Sequence, residues 1–237
     1  MAFNEKVHAY IAAKYYVYLT QTFGEKGRKA FVHATQYYAG QRGRRMAQRA
    51  IRDGQELDFA TYARYGEWAS SQEMIDEGGD VKAELKQLGP DAAIFISRCP
   101  WNRQFKEMGL DKTAGAEYCR HLDVAIVNGF NPYLEYRVPE TLQTSDHCEH
   151  YLKGADYAGK RLAKSPENLR DFEFHCAHSY WAYNEVTAAI FKSEGETINA
   201  RILEDFAQDY GKEMADALRA WENTNFNVCD CAKKTRA

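Results

Sequence analysis

No stretch of this sequence approaches the ~18 consecutive apolar residues that a bilayer span requires. The longest apolar runs are short pieces such as Tyr15–Leu19 and Ala92–Ile96. The opening, MAFNEKVHAY, lacks the apolar core of a secretory leader. Charge of one sign is not in excess: the formal net charge is -3, which demands neither a nucleic-acid nor a membrane partner. Proline is scarce, with five in 237 residues, and no low-complexity linker divides the chain. Residues 1–237 are therefore expected to form a single compact domain in the cytoplasm. In that reducing compartment the six cysteines read as free thiols and not as a disulfide framework. Aromatic side chains are what the sequence has in abundance. Sixteen tyrosines, twelve phenylalanines and four tryptophans supply the surface a core needs and exclude a disordered chain. Their number in the outer helices also allows a homodimer.

Hydrophobic spacing predicts a helix over 5–23, with Val7, Ile11, Tyr15, Tyr18 and Leu19 on one stripe, ended at Phe23-Gly24. A second helix is predicted from about Arg28 to Arg52, with Phe31, Ala34, Tyr38, Met46 and Ala50 inward. Residues 167–192 and 194–222 again read as two long helices. Shifting the chain by 168 brings Tyr15 onto Tyr183, Gly27 onto Gly195, Ala39 onto Ala207, Gly43 onto Gly211, Met46 onto Met214 and Ala47 onto Ala215. This is the pattern of a duplicated helical hairpin, 5–52 and 167–223. Lys26, Arg28, Lys29, Arg42, Arg44, Arg45, Arg49 and Arg52 make the first copy basic, while 194–222 is acidic. Opposite fields predict that the copies pack together, which removes the need for DNA at the basic helix.

The middle, 80–153, has another texture. Val81–Leu88 and Ala92–Arg98, split by Gly89-Pro90, predict a β-hairpin. A short helix follows over Trp101–Met108 and a longer one from about Thr113 to Asn128. Two further strands are predicted at Tyr133–Val138 and Cys148–Leu152. The expected class is α+β: a small antiparallel sheet with helices on one face, flanked by the duplicated hairpins.

Reactive side chains gather in three clusters. In Glu117–Asp123, Cys119 and Asp123 are i and i+4 and share a helix face, with His121 pointing elsewhere. A carboxylate raises a neighbouring thiol's pKa, so this pair suits shared binding of a substrate better than a cysteine–histidine dyad. Asn131, in the turn after the helix, reads as a turn former or as an amide offered to a ligand. In Ser145–His150, Cys148 and His150 share one strand face, and His147 and Glu149 share the other. In Phe174–His178, His175 and His178 are i and i+3 on a helix, spacing that lines a pocket or holds a metal. The first hairpin offers only His8 near the equivalent position. No CxxC pair is present, so no metal site is assigned, with zinc held by Cys, His and Asp from the three clusters as the alternative.

Taken in order, these pieces resemble the L-2-amino-thiazoline-4-carboxylic acid hydrolase family. The resemblance runs through a helical hairpin ending in a Gly/Arg-rich turn, YYAGQRGRRMAQRA, and a strand ending in Arg98-Cys99-Pro100. It continues through Tyr118-Cys119-Arg120-His121-Leu122-Asp123 with the later Asn131-Pro132, through Asp146-His147-Cys148-Glu149-His150-Tyr151, and into FHCAHSYW. It implies a hydrolase opening a C–N bond of a small cyclic amidine or thiazoline that bears a carboxylate. Cys119 is then expected as the nucleophile, with Cys148 as the alternative thiol. Asp123 would hold the amidinium, and His175 or His150 would move protons. Asn131 and His178 would line the substrate site, and Arg98 or Arg120 would bind the carboxylate. The competing readings are the zinc hydrolase and a non-enzymatic small-molecule binder.

Overall fold

The computed structural model describes residues 2–232. Helix α1 (Glu5–Arg52) opens at Asn4, whose side chain accepts the Val7 N–H at 3.1 Å. Its helical backbone is interrupted at Gly24 (φ 56°, ψ -129°), and there the chain folds back so that Tyr16 meets Phe31 edge-on at 5.2 Å. The same device recurs between α6 (Phe172–Phe191) and α7 (Ser193–Tyr210). The reversing residue there is Lys192, with φ 57° and ψ -132°. Lys192 is the residue that a shift of 168 places on Gly24.

The correspondence extends to packing. A Cβ on Gly27 would lie 1.9 Å from the Leu19 carbonyl oxygen, and one on Gly195 would lie 2.4 Å from that of Thr187; Leu19 and Thr187 are again 168 apart. Tyr15 stacks on Tyr183 (5.0 Å) and Phe23 on Phe191 (3.8 Å). Residues that touch their own counterparts are those beside a two-fold axis, so the two hairpins pack as a pseudo-symmetric pair. They do so through rings and not through the expected charge match. Among the described residues none of the eight bases between Lys26 and Arg52 pairs with an acid in 194–222. Arg28 pairs with Glu25 and Glu117, Arg45 and Arg49 with Glu67, and Arg52 with Asp53 and Asp230. The inter-hairpin ion pair comes from Lys14, 2.6 Å from Asp205. The copies also diverge at Gly211, where φ 94° separates α7 from α8 (Lys212–Arg219), whereas its counterpart Gly43 lies inside α1.

Between the hairpins run α2 (Phe59–Arg64) and α3 (Gln72–Asp76), neither expected from the sequence, and then the sheet. Strands β1 (Lys82–Leu88) and β2 (Asp91–Arg98) form the predicted hairpin. After α4 (Pro100–Glu107), a π turn at Asp111–Gly115 leads into α5 (Ala116–Phe130). Strands β3 (Tyr136–Glu140) and β4 (Cys148–Leu152) complete an antiparallel sheet of order β1-β2-β4-β3. Ala92, Leu152 and Tyr136 on one face pack with Val127 of α5 and Phe59 of α2, so the class is α+β as expected. Among the described residues no helix is long and apolar enough to cross a membrane.

Two features set the relation of α1 to everything else. The first corrects the expected Gly/Arg-rich turn: Gly40 and Gly43 lie inside helical α1, where it crosses α5. A Cβ on Gly43 would come within 2.0 Å of the Ile126 carbonyl oxygen, and one on Gly129 within 2.5 Å of that of Gly40. The glycines let the two backbones touch. Tyr38 and Arg42 on α1 are thereby brought opposite Cys119 and Asp123 on α5.

The second is Glu67, fully buried. Burial alone would push its carboxyl pKa up. The guanidiniums of Arg45, which binds it through two nitrogens (3.1 and 2.7 Å), and of Arg49 (2.9 Å) overcome this and hold it near 2. Arg45 also donates to the Phe226 carbonyl and to His178 Nδ1 (3.3 Å), while His178 Nε2 donates to Gln41 Oε1 at 2.8 Å. Burial, with Arg45 next, pushes the His178 pKa well down, and His8 and His175 are likewise held neutral, chiefly by burial.

Two outcomes follow for stability. Lys192→Gly should stabilise the chain by about 1 kcal/mol, because a non-glycine residue is strained at that φ/ψ. Gly27→Ala should cost more than Gly24→Ala, which meets open space; urea unfolding of the three variants checks both. Stability should also decline as pH falls below about 6.5, since unfolded histidines take up protons that the three buried ones refuse, each adding a slope of up to about 1.4 kcal/mol per pH unit. The decline should steepen below about 4.5 as the unfolded state's counterpart of Glu67 protonates. Glu67→Gln should cost about 3–5 kcal/mol at neutral pH by stranding two cations. A stability curve flat from pH 7 to 5 would contradict the neutral histidines.

Candidate active site

A cavity of about 110 Å³ opens where α1, α4, α5, α6 and the sheet meet. Its wall includes Cys119, Leu122 and Asp123 from α5, and His150 and Ile96 from the sheet. It also includes His8, Tyr38 and Arg42 from α1, Cys99 and Trp101 at the start of α4, and His175 from α6. The i, i+4 pair on α5 therefore presents thiol and carboxylate to one space, and His121 turns away to Glu117 (3.5 Å).

Four of the eight residues expected from sequence line this cavity: Cys119, Asp123, His150 and His175. The other four lie outside its wall, each for a local reason. Cys148 is buried on β4, its sulfur accepting the Leu142 N–H at 3.3 Å. Asn131 caps α5, donating to the Leu57 carbonyl and accepting the Tyr133 N–H, so it serves the turn. Arg98 lies on an exposed strand end and is bound to Asp80 through two nitrogens, at 2.8 Å each. His178, one turn beyond His175, meets Arg45 and Gln41 instead. Arg120, the other arginine considered, is exposed on α5.

The cavity's cation is Arg42. It is buried, its Nε has no partner, and among the described residues no carboxylate or carbonyl hydrogen-bonds its guanidinium. The sequence grouped Arg42 with seven other bases expected to face the acidic hairpin, and nothing in their spacing distinguished this one. Its distinction arises from the glycine crossing next to it.

Hydrogen-bond partners fix the protonation of the imidazoles. His175 Nε2 lies 3.2 Å from the Glu67 carbonyl oxygen, which can only accept, so Nε2 carries the proton. Its Nδ1 is a buried lone pair with no partner. Burial, then Arg42, keeps this ring neutral. His150 contacts Tyr136 Oη through Nδ1 at 2.5 Å, and its Nε2 lies 3.9 Å from Asp123 Oδ2.

The Cys119 thiol is pushed well up in pKa by burial, with Cys99, Cys148 and Asp123 adding to the effect. The Gln143 amide, which donates to its sulfur at 3.3 Å, offsets little of this. Burial raises Cys99 to about 12, with the N–H groups of Asn102 and Trp101 opposing. Both sulfurs rest as neutral thiols and must lose a proton to act as nucleophiles. Asp123 is a carboxylate acceptor on the same wall, and His150 and His175 line it as well. Among the described residues no three His, Cys, Asp or Glu side chains are grouped to hold a metal ion.

No curated protein and no solved structure matches the chain. A family model does. The model for L-2-amino-thiazoline-4-carboxylic acid hydrolase matches residues 4–151, a span that carries Tyr38, Arg42, Cys99, Cys119, Asp123 and His150 and leaves out the His175 helix. With more than half of its length matched and those side chains on one cavity wall, this chain belongs to the L-2-amino-thiazoline-4-carboxylic acid hydrolase family.

Proposed function

We propose that the protein hydrolyses a small cyclic amidine or thiazoline that carries a carboxylate, opening a C–N bond of the ring through Cys119. The observation that carries this reading is the shared wall itself: a thiol, a carboxylate, imidazoles and an unpaired guanidinium line one cavity. An amidine carboxylate is complementary to that set. Its amidinium N–H groups match the Asp123 carboxylate, and its own carboxylate supplies the counter-charge that Arg42 lacks.

The chemistry runs in two halves. Cys119 Sγ attacks the electron-poor amidine carbon and forms a C–S bond. Its proton passes to the Asp123–His150 pair on the wall, whose facing atoms lie 3.9 Å apart. That proton then goes to the ring nitrogen, the C–N bond breaks, and the ring opens with its amine released. Water adds to the remaining thioimidate carbon, and the tetrahedral adduct collapses to a carbamoyl product. The same acceptor takes a proton from that water as it adds, and Cys119 leaves and recovers this proton. One water is consumed, and the thiol, imidazole and carboxylate end as they began. Asp123 holds the amidinium throughout and stabilises the positive charge on it.

Turnover of 2-amino-2-thiazoline-4-carboxylate by purified protein tests this directly. Cys119→Ser should lower kcat by at least about 10³-fold, and Asp123→Asn should depress kcat/KM, while Cys148→Ser should leave turnover near wild type. Arg42→Met should raise KM by about 10- to 100-fold. It should also stabilise the ligand-free protein by about 1 kcal/mol or more, because a buried charge without a partner is removed. Full activity in Cys119→Ser would exclude the covalent route.

A further inference from the structure

The wall contains one more group whose hydrogen is committed to the cavity by its neighbours. Trp101 Nε1 lies 2.9 Å from His8 Nδ1. An indole N–H can only donate, so His8 Nδ1 accepts and carries no proton. The Tyr118 hydroxyl approaches the same nitrogen at 3.4 Å, again as a donor to it. His8 is therefore the Nε2–H tautomer, and its Nε2, 3.0 Å from Tyr38 Oη, donates to that oxygen. With its oxygen accepting from His8, Tyr38 must direct its own O–H elsewhere. Among the described residues no other group hydrogen-bonds it, and the ring lines the cavity. His8 is 2 % exposed and Tyr38 1 %, so neither exchanges its partner for bulk water. Burial, with Arg42 second, lowers the His8 pKa to about 3, and burial raises that of Tyr38 to about 12. Both hydrogens of the chain are thus in place across the neutral pH range.

Tyr38 and Arg42 are i and i+4 on α1 and both line the cavity, so the hydroxyl and the unpaired guanidinium share one helix face. We infer that Tyr38 and Arg42 together form the carboxylate-binding end of the cavity, with His8 and Trp101 as positioning residues that aim the Tyr38 hydrogen at the ligand. Arg42 supplies charge and Tyr38 a directional donor, and the carboxylate oxygens accept both. The assignment rests on the proposed amidine-carboxylate reading for its ligand class, and it adds the specificity element. Ligands without the acid lose this end of the site and keep the Asp123 end. It also explains an expensive arrangement. A part-buried indole and two buried polar rings in series, with a histidine at the centre, serve no packing need that phenylalanine would not meet.

The test measures affinity, so it stands apart from turnover. Calorimetric titration of the full chain carrying Cys119→Ser uses two ligand pairs. These are 2-amino-2-thiazoline-4-carboxylate against 2-amino-2-thiazoline, and thiazolidine-4-carboxylate against thiazolidine. Tyr38→Phe keeps the ring and removes only the oxygen. It should weaken both acids by about 10- to 100-fold and the acid-free partners by less than about 2-fold. His8→Gln and Trp101→Phe, which touch Tyr38 or His8 and not the carboxylate, should reproduce an acid-selective loss. The Tyr38→Phe/His8→Gln double variant should bind no worse than the weaker single variant, because both changes remove one hydrogen bond; a merely structural role for His8 would add its own loss to acid and acid-free ligands alike. Thermal melts show which variants are folded, and Trp101→Phe replaces His8→Gln if the latter is not. Equal losses for acid and acid-free ligands, or no loss in Tyr38→Phe, overturn the inference. Acid-selective loss in protein whose Cys119 form never opens the amidine ring would uphold the carboxylate subsite and remove the catalytic reading.

Discussion

One carboxylate, fully inside the protein, holds the site's framework. Glu67 neutralises Arg45 and Arg49 on α1 with its side chain and orients His175 on α6 with its main-chain carbonyl. A buried ion triad of this kind is weak evidence of net stability, because desolvating three charges offsets most of their attraction. Its effect is on arrangement. The carboxylate accepts from both guanidiniums only where α1 and the segment after α2 meet in one register. That register puts Trp68 and His175 on the cavity wall and fixes the His175 tautomer. Stability and site geometry are therefore coupled through a residue that has no part in the chemistry.

A second constraint is steric. Where α1 crosses α5, Gly43 and Gly129 allow backbone contact that any side chain would block. The crossing narrows the space between Tyr38 and Arg42 on one helix and Cys119 and Asp123 on the other to the scale of a small molecule. It also buries Arg42 on the cavity wall that His8 shares, so that electrostatics and hydrogen bonding there are read in a low-dielectric setting. The pseudo-two-fold pair of hairpins fixes α6 against α1. The counterparts of His8, Tyr38 and Arg42 under the 168-residue shift are Cys176, Phe206 and Tyr210. The polar machinery is thus confined to one copy, and the other supplies His175 from a different position.

Much of the scaffold could be read along the chain because its signals are local. The apolar stripe from Val7 to Leu19, the Gly89-Pro90 turn and the alternation in β2 each depend on spacings of a few residues. The shared face of Cys119 and Asp123 was legible for the same reason, since i and i+4 are neighbours on any helix. The duplication was legible through glycines whose Cβ would strike a carbonyl at equivalent places. What the linear pattern missed was long-range. Arg42 looked like one base among eight, Gly40 and Gly43 looked like a turn, and His8 looked like a lone histidine. Glu67 lay in a stretch without periodicity. Cys148 and Asn131 carried chemistry-bearing side chains, but the nearby Leu142 N–H claimed the first and the distant Leu57 carbonyl the second.

The sequence by itself determined the α+β class, the duplicated hairpins, the antiparallel strands and the pairing of a thiol with a carboxylate on one helix face, because each follows from short-range sterics and hydrophobic period. Only the tertiary structure decided which cation remains unpaired, which imidazole nitrogen holds a proton and which hydroxyl points into the cavity. Those properties depend on burial and on partners 30 to 110 residues away, and no local spacing encodes either.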